Sequence, residues 1–96
     1  MNISVEEFKA INTRLNNLRI IDVRSELEFH TYNIGGLNIP LGKLPAALDD
    51  LDLEPDQGIV VICQHGIRSE TARQILVAHG FTQVKNLKGG LTALRK

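Results

Sequence analysis

Residues 59–62 read Ile-Val-Val-Ile, with no polar residue at any position. The run follows Gly58 and is of strand length, and a strand that is apolar at every position must be covered on both faces. That demand points to a parallel strand at the centre of a sheet, with helices packed above and below. The remaining segments supply the parts. Asn2-Ile3 suits a very short strand, and Ser4-Val-Glu-Glu7 is a capping box that opens a helix carrying Phe8, Ile11, Leu15 and Leu18 at helical spacing. A β-branched run from Leu18 to Val23 is expected as the next strand, and Ser25-Glu-Leu-Glu28 is a second capping box directly after it. Gly35-Gly36 interrupts the pattern before a short strand at Leu37-Asn-Ile39, ended by Pro40. Leu44, Leu48 and Leu51 are spaced for a third helix. Ser69 is the expected N-cap of a helix with Ala72, Ile75, Leu76 and His79 on one face and Gly80 at its end. A strand at Val84-Lys-Asn-Leu87 and a helical turn or two from Leu91 to Leu94 complete the chain. The expected fold is α/β: a small, open, mainly parallel sheet of about five strands with helices on both faces.

Composition narrows the function. Ninety-six residues suit a single domain spanning 1–96. Eleven Lys+Arg balance eleven Asp+Glu, so neither nucleic acid nor an anionic membrane is expected as a partner, since both call for a basic excess. No segment approaches the ~18 apolar residues of a membrane span, and no leader pattern opens the sequence. One cysteine excludes an internal disulfide and a cysteine-based metal cluster. The three histidines, His30, His65 and His79, lack ligand spacing, so no metal is expected. These features together describe a soluble, cytoplasmic protein with one free thiol.

The chemistry concentrates in Cys63-Gln-His-Gly-Ile-Arg-Ser69, which leaves the apolar strand and opens into a helix. In open α/β sheets ligands bind beyond the carboxyl ends of strands. A loop over a helix start turns backbone N–H groups inward and adds the positive end of the helix dipole. A thiol held there ionises more easily and becomes a better nucleophile. Gly66 permits the tight turn, and Arg68 adds a permanent cation suited to an oxyanion. The plain alternative is a lone cysteine packed as a small apolar residue at a strand end.

In these residues the chain resembles the rhodanese family of sulfurtransferases. Cys63-x-x-Gly66-x-Arg68-Ser69 is similar to that family's active-site loop, and Ile21-Asp-Val-Arg24 with Glu28-Phe29 to its upstream motif. Ile39-Pro40-Leu41 and Leu87-x-Gly89-Gly90 fall in the family's order. The stretches Asn33–Gly36 and Pro40–Pro45 most resemble rhodanese domains appended to enzymes that adenylate sulfur carriers. Tyr32-Asn33-Ile34 and Leu94 depart from the family pattern at positions that read as structural. The resemblance implies a rhodanese-like fold and transfer of a sulfane sulfur, from thiosulfate or a persulfide, through a persulfide on Cys63. It implies no cofactor. The partners would be a small sulfur donor and a thiol or cyanide acceptor, with a sulfur-carrier or thioredoxin-like protein as a further partner. Gln64, His65, Gly66, Ile67, Arg68 and Ser69 would line the substrate site.

Asp22 and Arg24 lie at the carboxyl end of their strand, near the loop. Asp22 is expected to accept loop or helix N–H bonds and Arg24 to pair with Glu28, all three supporting the site; an acid–base role is the alternative. His65 either binds the donor and tunes Cys63 or faces solvent, while His30 and His79 read as surface or helix-end residues. Tyr32 either covers the site or packs. Two other functions compete. A docking or persulfide-carrier module would use the fold without turnover of small molecules. A thiol phosphatase or arsenate reductase would share Cys and Arg, but those families place one residue more between the two than the four here.

Overall fold

The computed structural model describes residues 1–14 and 19–96. Its strands are β1 (Asn2–Ile3), β2 (Arg19–Asp22), β3 (Leu37–Asn38), β4 (Ile59–Ile62) and β5 (Val84–Leu87). They form one open sheet in the order β1-β5-β4-β2-β3, and every pairing is parallel. The apolar strand β4 is central, as full burial requires.

Alternation along β4 divides the core. Ile59, Val61 and Cys63 face one side, where they pack with Ile21, Val23, Leu44, Leu48, Ala72 and Leu76. Val60 and Ile62 face the other, against Ile3, Phe8, Leu87 and Leu91. The helices are α1 (Val5–Arg14), α2 (Glu26–Thr31), α3 (Leu44–Ala47), α4 (Ile67–Ala78) and α5 (Gly90–Leu94). Side chains of α3 and α4 cover the first face and those of α1 and α5 the second. Cys63 therefore leaves the central strand pointing toward α4.

Both capping boxes form. Ser4 Oγ accepts from Glu7 N–H at 3.1 Å while Glu7 Oε1 accepts from Ser4 N–H at 3.2 Å. The same reciprocal pair links Ser25 and Glu28 at the start of α2. Leu15 and Leu18, expected on the first helix, and the first residue of the expected second strand lie outside the described residues.

Two expectations are corrected. The Leu44/Leu48/Leu51 spacing does not make one helix: α3 is a single turn between 3-10 turns at Leu41–Lys43 and Leu48–Asp50, and Leu51 is already extended. Pro45 in its first turn lacks the N–H that would continue an α-helical ladder from the preceding turn. Nor is Ser69 the cap of α4. That helix begins at Ile67, with Gly66 at the cap in a left-handed conformation (φ 91°), and the Ser69 hydroxyl is engaged elsewhere.

Candidate functional site

Register brings the site together. Pairing of Asp22 with Ile62 and of Asn86 with Val61 places Asp22, Cys63 and Asn86 along the carboxyl edge of three adjacent strands. The 63–69 segment turns back over that edge. Gly66 N–H donates to Cys63 Sγ at 3.0 Å and Ser69 N–H at 3.3 Å, with Ser69 Oγ 3.2 Å away. These donors exist because Gly66 takes the left-handed turn that points successive N–H groups inward. A Cβ at Gly66 would also come within 3.1 Å of Gly89 N, so the turn is closed from outside as well.

Cys63 is 1% exposed. Burial pushes its thiol up, and the Ser69 hydroxyl with the N–H groups of Ser69, Gly66 and His65 more than offsets that, leaving it below the ordinary thiol value. The expected depression is present, and its largest causes are the local hydrogen bonds, with Arg68 coupled to the thiol only through charge and without a hydrogen bond.

Arg68 faces Glu28. Its Nη1 and Nη2 donate to the two carboxylate oxygens at 2.7 and 2.9 Å. Arg68 beside it holds the Glu28 carboxyl down at about 2, against a smaller opposing effect of burial. The expected Arg24–Glu28 pair is thereby corrected. Arg24 instead pairs with Asp22, Nη2 to Oδ2 at 2.8 Å, with both side chains buried. The Asp22 carboxylate accepts from the backbone N–H of Arg24, in the turn after β2, and from the Arg24 guanidinium; among the described residues it takes no N–H from the 63–69 loop or from a helix. Arg24 Nη2 also donates to the Tyr32 carbonyl at 2.6 Å, and Nη1 reaches Gln64 Oε1 at 3.5 Å. The buried pair thus ties the end of α2 to the loop. Tyr32 itself packs under Arg95, whose guanidinium carbon lies 3.9 Å from the ring centroid.

Gln64 and His65 share a partner, Thr92 Oγ1, at 3.2 Å each. Ile67 is 77% exposed. His30 and His79 are exposed. Three contributors lay outside the sequence reading. The carbonyls of Cys63 and Gln64 accept from Leu91 and Thr92 N–H at 2.9 and 3.0 Å, so α5 braces the loop from behind. Asn86, buried, donates to the Gly66 carbonyl at 3.0 Å and accepts from Ser69 Oγ. Its signal was available: one amide in a strand whose neighbours Val84 and Leu87 are core residues. Among the described residues no group of His, Cys, Asp and Glu is arranged to hold a metal ion, and no helix is long and apolar enough to cross a membrane.

An all-parallel open sheet that delivers one thiol under backbone N–H donors at a helix start defines a class of small α/β domain. The chain belongs to the Rhodanese-like domain family, which matches residues 4–96. It is 34% identical over 82 residues to the thiosulfate sulfurtransferase GlpE of Shewanella oneidensis, covering 84% of this chain and 79% of that one. It is 37% identical over 90 residues to the putative sulfur carrier protein YrkF of Bacillus subtilis, covering 93% of this chain but only 48% of the longer protein. The solved human single-domain sulfurtransferase TSTD1 superposes with a TM-score of 0.82 at 27% identity, over 96% of this chain and 92% of that one. These relatives support a rhodanese-like sulfurtransferase assignment in general terms.

Proposed function

We propose that the chain moves a sulfane sulfur from thiosulfate or a persulfide donor to a nucleophilic acceptor through a persulfide on Cys63. The observation that carries this reading is the placement of Sγ under the Gly66 and Ser69 N–H groups at the end of the central strand. The Cys63 thiolate attacks the outer sulfur of thiosulfate; the thiosulfate S–S bond breaks, and sulfite departs with its electron pair. The persulfide anion remains among the same donors. A thiolate or cyanide then attacks the outer sulfur, and Cys63 leaves as the thiolate. Electrons balance without a metal or organic cofactor. In this reading Gln64, His65, Ile67 and Arg68 form the rim that meets donor and acceptor, and Asp22, Arg24 and Glu28 support the loop. Cycling between thiolate and persulfide suits a reducing compartment, in keeping with a cytoplasmic protein.

The ring closed by four residues between Cys63 and Arg68 is suited to a single sulfur atom, whereas a phosphoryl group needs donors for three equatorial oxygens. Cys63→Ser is expected to keep the fold and lose all transfer from thiosulfate to cyanide. Wild-type protein is expected to leave an aryl phosphate intact. Phosphatase turnover that disappears in Cys63→Ser would overturn the assignment. A second reading, a persulfide carrier serving one protein partner, draws on the relative named as a putative sulfur carrier. Activity with a protein persulfide donor and none with thiosulfate would favour it.

A further inference from the structure

The Ser69 hydroxyl has one hydrogen and two neighbours that can take it. Cys63 Sγ lies 3.2 Å away on one side, and Asn86 Oδ1 is in hydrogen-bond contact on the other. Which end of the Asn86 amide faces Ser69 is fixed from the far side. The Gly66 carbonyl can only accept, so the Asn86 atom 3.0 Å from it is Nδ2, the donor. The oxygen therefore faces Ser69, and an amide oxygen can only accept. With the Ser69 hydrogen on Asn86, the hydroxyl offers Cys63 a lone pair. That arrangement suits a thiol, whose S–H can donate to it. It does not suit a thiolate, which wants the hydrogen.

We propose that Asn86 is a positioning residue for Cys63 that acts through Ser69, holding the hydroxyl's hydrogen while Cys63 is a thiol and giving it up to Sγ when Cys63 ionises. The inference rests on Cys63 being the nucleophile proposed above. Ionisation then has two parts: the thiol proton leaves to solvent, and the Ser69 O–H rotates from Asn86 Oδ1 to Sγ. No bond to carbon, sulfur or nitrogen is made or broken in the rotation. The cost falls on Asn86 Oδ1, which loses its donor in a site where the residue is only 4% exposed. Asn86 therefore makes the thiolate harder to form than the loop N–H groups alone would allow. It keeps the resting site neutral, and the hydroxyl joins the backbone N–H donors only when an anion is present.

Charged groups face this contact from every element packed around it: Asp22 is paired with Arg24 on β2, Arg68 of α4 with Glu28 of α2 and Arg73 with Glu70 on α4, and the Met1 amino group, ahead of β1, lines the same pocket as Glu70, Arg73 and Asn86. Glu28, at about 2, stays ionised through the whole range in which a thiol titrates. His65, the titratable ring of the loop, contacts Thr92.

The test reads ionisation without turnover, so it stands or falls separately from the sulfurtransferase reading. The Asn86 side-chain carbonyl 13C resonance is followed against pH in wild-type protein, beside the iodoacetamide alkylation rate of Cys63. The expected result is a shift of that resonance with the alkylation midpoint, absent in Cys63→Ser and strongly reduced in Ser69→Ala. In Asn86→Leu, which removes the competing acceptor at similar volume, the alkylation midpoint is expected to fall by about one pH unit, the equivalent of one hydrogen bond to a charged group. A resonance that does not move with pH, or one that still titrates in Cys63→Ser, overturns the proposal. So does a midpoint that stays or rises in Asn86→Leu, since that result leaves Asn86 as a brace for the Gly66 carbonyl alone.

Discussion

Glu28 serves two contacts at once: it closes the capping box of α2 through Ser25 and takes the Arg68 guanidinium on both its oxygens. Arg68 is committed to that carboxylate, and none of its nitrogens bonds to Sγ. The donors to the sulfur belong to the loop itself. Arg68→Ala is therefore expected to raise the Cys63 alkylation midpoint by no more than about half a unit, the effect of a charge already neutralised by its partner. Its larger effect should fall on the KM for thiosulfate, an anion that must approach the same rim, and Arg68→Lys should recover part of that loss because the charge survives. A rise of a full unit or more in the midpoint would show that the guanidinium, and not the backbone, stabilises the thiolate. The sequence could name Arg68 and Glu28 as site residues but not as partners, because they are separated by 40 positions. The sequence reading paired Arg24 with Glu28 instead. Arg24 is drawn away by a buried carboxylate two residues before it, which would otherwise be left charged without a partner.

At the scale of elements, α5 is held to the loop by two backbone hydrogen bonds and by the Thr92 hydroxyl, and Gly90 is the point of closest approach. A Cβ there would lie 2.5 Å from the Cys63 carbonyl oxygen and 2.6 Å from atoms of Gln64. Neither neighbour is a flexible side-chain end, so the loop or the helix must move. Gly90→Ala is expected to cost about 2–4 kcal/mol in urea unfolding and to weaken sulfur transfer, because the displaced carbonyls belong to the residues that carry the thiol and the rim. Gly80→Ala is the control: φ is positive at both sites, +64° at Gly90 and +97° at Gly80, but nothing lies within 4 Å of a Cβ added at Gly80. It should cost about 1 kcal/mol, the strain alone, with transfer unchanged. If the two variants lost equal stability and equal activity, the contact with Cys63 would carry no weight. Elements were legible in the sequence wherever their determinants are local. Both capping boxes and the apolar strand are four-residue patterns, and all three form as read. The start of α4 was misplaced because a serine normally caps through its own helix. Here Ser69 spends its hydroxyl on Cys63 and Asn86, partners six and seventeen residues away. The third helix failed for a related reason: leucine spacing reports which side faces the core, and three short turns around Pro45 can present the same side as one helix.

Across the whole molecule, acid should expose how much the surface ion pairs hold. Glu28 is held down at about 2 chiefly by Arg68, and Glu70 at about 2 chiefly by Arg73, whose Nε and Nη2 donate to it at 2.8 and 2.7 Å. Glu7 is lowered as well, by the Ser4 backbone and side chain of its capping box. A carboxyl whose value is depressed by folding stabilises the folded state above its unfolded value, here 4.5, and that contribution is lost as pH falls toward the folded value near 2. Stability is therefore expected to hold from pH 7 to about 5 and to decline from there to about 2. The Glu28 and Glu70 side chains are 35% and 37% exposed, so solvent screens both pairs and each contributes only about 1 kcal/mol or less. Urea unfolding midpoints at pH 7, 5 and 3 measure the decline, and the double variant Glu28→Gln/Glu70→Gln should start lower and fall less over the same range. Were that variant to lose as much as wild-type between pH 5 and pH 3, the acid sensitivity would lie in other carboxylates. The buried Asp22 beside Arg24 would then be the next to replace, since its ion pair holds the bracket that ties the end of α2 to Gln64 and the loop.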